Sequence, residues 1–369
     1  MTQSISSLAE EPVEESPPRS PRRRSFPLAG CLALVVALAL VTLYATLTQA
    51  DYNIYLYNTF LLMCIGALAM NLLMGTTGLV SVGSAGFLAA GAYSAIFLER
   101  AGVPFVICVI GGGLVAAIAG LIVSLPAMRL RGLALGLATI SVHYVVVFIV
   151  DQYQQHTSGA GAIGFILPPV FGTIVGIQYK WAWVLFGVVA VVAVVVALLG
   201  TGRTGRALRL IRDQETIAPT QALPVAGYKM MIFAITSFMF GVEGALTGYV
   251  SGQVSSEQFT LTLAMQFLAI VIVGGLDSIW GAVIGAAIFV TLPYLTNHVV
   301  SSVLGAQQAS ANGANYGVIV YAVIVVIFIV AAPRGLVGLI RDAGRKAWHG
   351  MREPLASRRA GRARPGADG

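Results

Sequence analysis

Apolar residues fill most of this chain in blocks of about twenty, separated by short polar or glycine-rich breaks. A helix of that length, rising 1.5 Å per residue, crosses a hydrocarbon core of about 30 Å. The blocks predict spanning helices over 27–48, 54–74, 82–98, 103–126, 132–150, 181–200, 229–250, 259–275, 278–297 and 316–333. Barrel strands would instead alternate apolar and polar positions over about 10 residues. The pattern therefore predicts an all-α, polytopic membrane protein of about ten transmembrane helices, or eight if two neighbouring runs pair as a re-entrant hairpin. Residues 1–26 and 334–369 are polar tails around a membrane domain over 27–333, which contains a soluble loop at 201–228. The apolar run after Arg22–Arg24 is long for a signal-peptide core, so it is read as the first span.

Composition agrees. Hydrophobic residues make up 57% of the 369 and charged residues 10%, against about 25% charged in soluble domains. That balance excludes an ordinary water-soluble enzyme and a disordered chain. Charge then supplies a test that hydropathy does not use. When the loops are assigned alternately to two sides, all 22 lysines and arginines except Arg100 and Lys180 fall on the side of the two tails. Positive residues are retained inside, which predicts both termini in the cytoplasm. The net charge of +7 accordingly faces anionic membrane lipid and implies no nucleic acid. Cys31, Cys64 and Cys108 lie inside apolar runs without metal-ligand spacing.

The most informative soluble segment is TGRTGRALRLIRDQETIAPTQALPVAGY at 201–228. Arg203, Arg206, Arg209 and Arg212 recur at every third residue, with Ala207, Leu208, Leu210 and Ile211 between them. This spacing predicts a short amphipathic helix, ended by Pro219 and Pro224. It would lie on lipid head groups or dock a cytoplasmic partner through its apolar residues. Gly200 to Ala207 imitates a phosphate loop, but Arg206 and Ala207 replace the required Lys and Ser/Thr. No other segment offers a nucleotide site, so ATP, if it drives this protein, is bound by another chain.

Two breaks share the pattern Gly-Leu-x-Ser: Gly78-Leu79-Val80-Ser81 and Gly275-Leu276-Asp277-Ser278. Broken helices in corresponding places of two halves point to a substrate path, because freed backbone groups can face a polar cavity; the plain alternative is a turn between two spans. Gly244, Gly248 and Gly252 repeat every four residues, as do Gly281 with Gly285 and Gly132 with Gly136, a spacing that lets helix backbones approach closely in lipid. His143 and Glu243 fall inside spans and Asp277 at a break. A carboxylate at mid-membrane costs about 2.5–3.5 kcal/mol on insertion scales, so Glu243 is either a hydrogen-bonded packing residue or a cavity-lining one. His143 is read as a neutral hydrogen-bonding histidine. The tentative path set is Gly78, Ser81, Ser84, His143, Glu243, Gly275 and Ser278. There is no catalytic constellation and no metal-ligand set.

GRALRLIRDQE at 205–215, with YKMMIFAITS after it, resembles the cytoplasmic loop and following helix of permease subunits of branched-chain amino acid ABC importers. So do NLLMGTTGLVSVGSAGFLAAGAY at 71–93, MRLRGLALGLATIS at 128–141, LAIVIVGGLDSIWGAVIGAAI at 268–288 and APRGLVGLI at 332–340. The matches are collinear from about residue 55 to 340. The resemblance implies an inner-membrane, multi-pass permease with no cofactor of its own. It also implies a second related permease subunit, two cytoplasmic ATPase subunits that bind ATP and Mg, and an external solute-binding protein. Carried over, it assigns ATPase docking to Arg206, Ala207, Leu208, Arg209, Ile211, Arg212 and Glu215. Ser84 departs from the histidine of many relatives and Glu243 from a small apolar residue. Urea or short amides are alternative solutes; a secondary transporter or a self-contained channel are alternative classes.

Overall fold

The computed structural model describes residues 28–47, 51–127, 133–159, 161–166, 177–214 and 223–304, with 323 and 326 besides. The apolar blocks become α1 (Leu28–Leu47), α2 (Asp51–Met70), α3 (Ser84–Arg100), α4 (Phe105–Ala127), α5 (Leu133–Ser158), α6 (Ile177–Gly200), α8 (Val225–Ser251), α9 (Leu261–Gly274) and α10 (Ile279–Leu304). The basic loop segment forms α7 (Gly202–Asp213). Seven of these helices are long and apolar enough to cross a membrane among the described residues; α3, at 17 residues, is shorter. The predicted spans are therefore matched in order, and the run at 316–333 lies outside the described residues, apart from 323 and 326. So do both predicted tails and residues 215–222 of the central loop, Glu215 among them. The protein is a polytopic helical membrane protein.

Several boundaries differ: α8 starts at Val225, α10 runs to Leu304, and the largest shift is at the end of α5. Helix α5 continues to Ser158, eight residues beyond its apolar run, because the polar extension is itself bonded. Gln154 is buried and its Oε1 accepts from the Ser256 backbone N–H at 2.8 Å and from the Tyr93 hydroxyl. Asp151 accepts from the Ser256 hydroxyl at 2.8 Å. A two-residue antiparallel ladder, β1 (Ile163–Gly164) with β2 (Gln253–Val254), closes this end of the bundle. Beneath it Tyr249 packs against Phe165, Phe105 and Trp181 with centroids 4.5, 4.8 and 6.2 Å apart.

Helices α2, α3 and α8 form the interior, and α1, α4, α5 and α6 turn apolar side chains outward, among them Leu32, Ile122, Phe148 and Val191. Apolar outer faces are what a lipid-embedded bundle presents, since lipid supplies no drive to hide them. Cohesion comes from close backbone approach instead. A Cβ on Gly91 would stand 2.1 Å from the Gly241 carbonyl, one on Gly244 would stand 2.0 Å from that of Leu88, and one on Gly112 would stand 2.5 Å from that of Gly91. Helices α3, α4 and α8 are thus locked by glycines. Gly285 similarly meets Ile270 across the α9–α10 pair. The ladder reading fails at its third member: Gly252, with φ of 72°, is the left-handed cap of α8 and has open space around it.

Gly91→Val should lower stability by about 1–3 kcal/mol through overpacking. Gly187→Ala, in open space on α6, should be neutral or gain up to about 1 kcal/mol. Unfolding of the two purified variants in detergent would check this contrast.

Candidate functional site

The first break is built by a change of helix type. After Met70, helix α2 widens into one turn of π-helix over Asn71–Thr76, and the chain then reverses at Gly78, whose φ is 72° and whose N–H donates to the Met74 carbonyl at 3.0 Å. Single π turns interrupt the regular ladder and commonly sit at functional places. The second break follows α9: Gly275 has φ of 114° and Asp277, a non-glycine residue, φ of 62°. Such a φ costs a non-glycine residue unless its surroundings hold it there. Here they do. The Asp277 backbone N–H donates to Asn71 Oδ1 at 3.0 Å, and Ser278 Oγ accepts from the Gly281 N–H at 3.2 Å to cap α10. Gly75 leaves room for this junction, since a Cβ there would lie 2.5 Å from Asn71 Oδ1 and 2.6 Å from the Asp277 nitrogen. The π-turn that precedes the first Gly-Leu-x-Ser segment therefore meets the second such segment, Asn71 and Asp277 being 206 residues apart in sequence.

Helix α7 closes on the same junction. Thr201 alone separates it from α6, so its apolar face folds back on the membrane domain: Ala207, Leu208 and Ile211 are buried in the chain itself, while Arg203 and Arg206 are exposed. The anchoring role expected of those apolar residues toward a partner is taken up by the chain's own helices. Arg209 is half-buried. Arg212 turns inward: its stem crosses Gly78, where a Cβ would stand 2.6 Å from Arg212 Cγ, and its Nη1 donates to the Gly75 carbonyl. Its Nε donates to Asp213 Oδ1 at 3.0 Å.

The remaining path residues divide. Ser81 and Ser84 are buried at the start of α3, where Ser81 Oγ accepts from the Gly83 N–H at 3.4 Å. The Val82 N–H is satisfied by Thr139 Oγ1 of α5 at 3.0 Å. His143, one turn further along α5, is buried against Gly86, with a Cβ position 3.4 Å from His143 Nδ1. Neither Ser84 Oγ nor His143 Nδ1 has a hydrogen-bond partner among the described residues. Glu243 stands apart from the breaks. It is buried between α2 and α9, facing Gly66 and the Phe267 ring, and its Oε2 has no hydrogen-bond partner among the described residues. Sequence reasoning did not single out Asn71 or Thr139, which join the breaks to each other and to α5; the available signal was a polar side chain inside an apolar run.

The junction places Arg203, Arg206, Arg209 and Arg212 of α7, and the N-terminal end of α1 through a Trp280 Nε1 to Gly30 carbonyl bond of 3.1 Å, at one end of the bundle. Arg100 and Lys180 lie at the opposite end, at the close of α3 and the start of α6. Among the described residues no group of three His, Cys, Asp or Glu could hold a metal ion.

A bundle of broken, glycine-packed helices with a basic helix clasped to its breaks is the architecture of a polytopic membrane protein. The profile of the family described as "branched-chain amino acid transport system / permease component" matches residues 52–330, and the chain belongs to that family. It is a multi-pass protein of the inner membrane. It is 26% identical over 299 residues to the high-affinity branched-chain amino acid transport system permease protein LivM of Salmonella typhimurium, covering 74% of this chain and 67% of the relative. The LivM of Escherichia coli is likewise 26% identical over 302 residues, with the same coverage. No solved structure matches the chain.

The Gly66–Glu243 approach yields a prediction. Gly66→Ala should cost about 1–3 kcal/mol, and Glu243→Ala introduced with it should return part of that cost, because a Cβ at Gly66 would lie 2.3 Å from Glu243 Oε2. A double-mutant cycle on detergent-solubilised protein reads the coupling, about 0.5–3 kcal/mol for touching residues; strict additivity would show that the two do not meet.

Proposed function

We propose that this chain is the membrane-spanning permease subunit of an ATP-binding-cassette importer. Its solutes are branched-chain or related small amino acids handed over by an external solute-binding protein. It pairs with a second, related permease subunit, and two cytoplasmic ATPase subunits bind the ATP and Mg. The break end of the bundle is cytoplasmic, and the β1–β2 end receives the solute. The family membership and the relatives' names support the solute class.

The observation that carries this reading is the state of helix α7. It is held to the membrane domain by buried Ala207, Leu208 and Ile211, and it presents Arg203 and Arg206 outward. A helix anchored on one face and cationic on the other suits a partner with an acidic rim, and can transmit a push because it is already packed. Rim charges steer and orient such contacts and weaken with salt. The path itself runs beside the breaks, where Ser84 and His143 carry unpaired polar atoms. Such atoms are costly inside a membrane protein unless they serve a pathway.

The test is co-purification of the ATPase subunits from membranes in which the whole transporter is co-expressed. Wild type should bring them down, and Arg203→Glu with Arg206→Glu should strip them about tenfold or more, the loss deepening as salt is raised. A full complex with undiminished solute-stimulated hydrolysis in the double variant would contradict the docking face.

A further inference from the structure

We infer that Arg212 is the positioning residue that ties helix α7 to the broken helices, so that α7, the π-turn at Asn71–Thr76 and the turn at Gly275–Ser278 move as one unit. The inference rests on the reading of α7 as the ATPase-facing element, and goes beyond it by naming the atoms that carry the motion inward.

Three observations support it together. First, Arg212 does not join the exposed face of α7; its guanidinium enters the first break and Nη1 donates to the Gly75 carbonyl. A π turn displaces backbone groups from their regular helical partners, and in a membrane protein such groups need another partner. A guanidinium is a strong, permanently charged donor for that purpose. Second, the route is shaped for it. The Arg212 stem passes where Gly78 has no Cβ, at a position that a side chain would occupy 2.6 Å from Cγ. Gly78 also has φ of 72°, so the glycine serves both the reversal and the passage. Asp213 Oδ1 accepts from Nε at 3.0 Å. Third, the contact does not end at the first break. The Gly75 region abuts the Asp277 backbone, and Asn71 Oδ1 accepts from the Asp277 N–H at 3.0 Å. A displacement of α7 therefore reaches α2 through Gly75, and α9–α10 through Asn71 and Asp277, without crossing a side-chain gap.

This assignment separates two roles on one short helix. Arg203 and Arg206 face outward and hold the partner; Arg212 faces inward and transmits. Losing the first should dissociate the complex. Losing the second should leave it assembled, with hydrolysis running and solute no longer following.

The experiment uses the complete transporter reconstituted in proteoliposomes with its binding protein, measuring solute uptake and ATP hydrolysis on the same vesicles. ATP-driven uptake by the wild type is the standard; its absence would refute the functional reading itself, independently of Arg212. Arg212→Met keeps the stem over Gly78 and removes only the donors. It should retain the ATPase subunits and at least half of the hydrolysis, while uptake per ATP falls by about tenfold, the scale of one hydrogen bond from a charged donor. Arg212→Lys, which restores a cationic donor, should recover most of that ratio. Gly78→Val, which keeps Arg212 but puts a side chain against its stem, should reproduce the loss if Arg212→Met does not assemble. An unchanged ratio of uptake to hydrolysis in an assembled Arg212→Met complex would overturn the inference, as would a Lys variant no better than Met.

Discussion

A helix that stops inside or at the edge of a membrane leaves backbone donors and acceptors with no water to receive them, and everything at one end of this bundle follows from how those groups are satisfied. The π-turn after α2 and the turn after α9 both interrupt regular hydrogen bonding. They are satisfied by each other and by α7: Asn71 Oδ1 takes the Asp277 N–H, and Arg212 supplies a donor to Gly75. Removing any one of these partners would leave a buried polar group unpaired, which costs more than the bond contributes when made. The junction is for that reason a tightly specified place, and three segments distant in sequence have only one arrangement there.

Away from the junction the bundle is held differently. Between α3, α4 and α8 the carbonyls of one helix approach the Cα atoms of the next where Gly91, Gly112, Gly241 and Gly244 omit a side chain. Contacts of this kind rely on dispersion and shape, since lipid gives apolar faces no reason to associate. They form a block with few degrees of freedom. The break junction rests instead on directional hydrogen bonds, Asn71 with Asp277 and Arg212 with Gly75, that hold three segments together. A transporter needs both: a body that keeps its packing, and a hydrogen-bonded unit that can move against that body without coming apart.

The spans were legible from hydropathy because length and continuity of apolar residues are set by bilayer thickness, and the helix at α7 was legible from the arginine period. Its orientation was not. The pattern of Ala207, Leu208 and Ile211 marks an apolar face, but that it turns inward on the chain rather than outward to a partner is visible only in their burial. The repeat of Gly-Leu-x-Ser marked two breaks, whereas their meeting depends on Asn71, a residue that looks like any polar interruption until its partner is placed. The continuation of α5 to Ser158 escaped the hydropathy reading because Asp151 and Gln154 are polar in sequence and become satisfied only by Ser256 and Tyr93 across the bundle. Glu243 was conspicuous in sequence, and in the structure it is buried against Gly66 and near the Phe267 ring.

The claim that α7 and the two breaks form one moving unit is tested most directly by a distance. Spin labels on Gln214→Cys and Leu276→Cys, both at exposed positions, would be placed in the assembled transporter after replacement of the buried Cys31, Cys64 and Cys108. Pulsed electron paramagnetic resonance would then be recorded without nucleotide, with ATP bound and after hydrolysis. The account predicts one narrow separation that persists through all three states. A separation that shifts by several ångströms when ATP binds would mean that α7 slides over the break, and would contradict it.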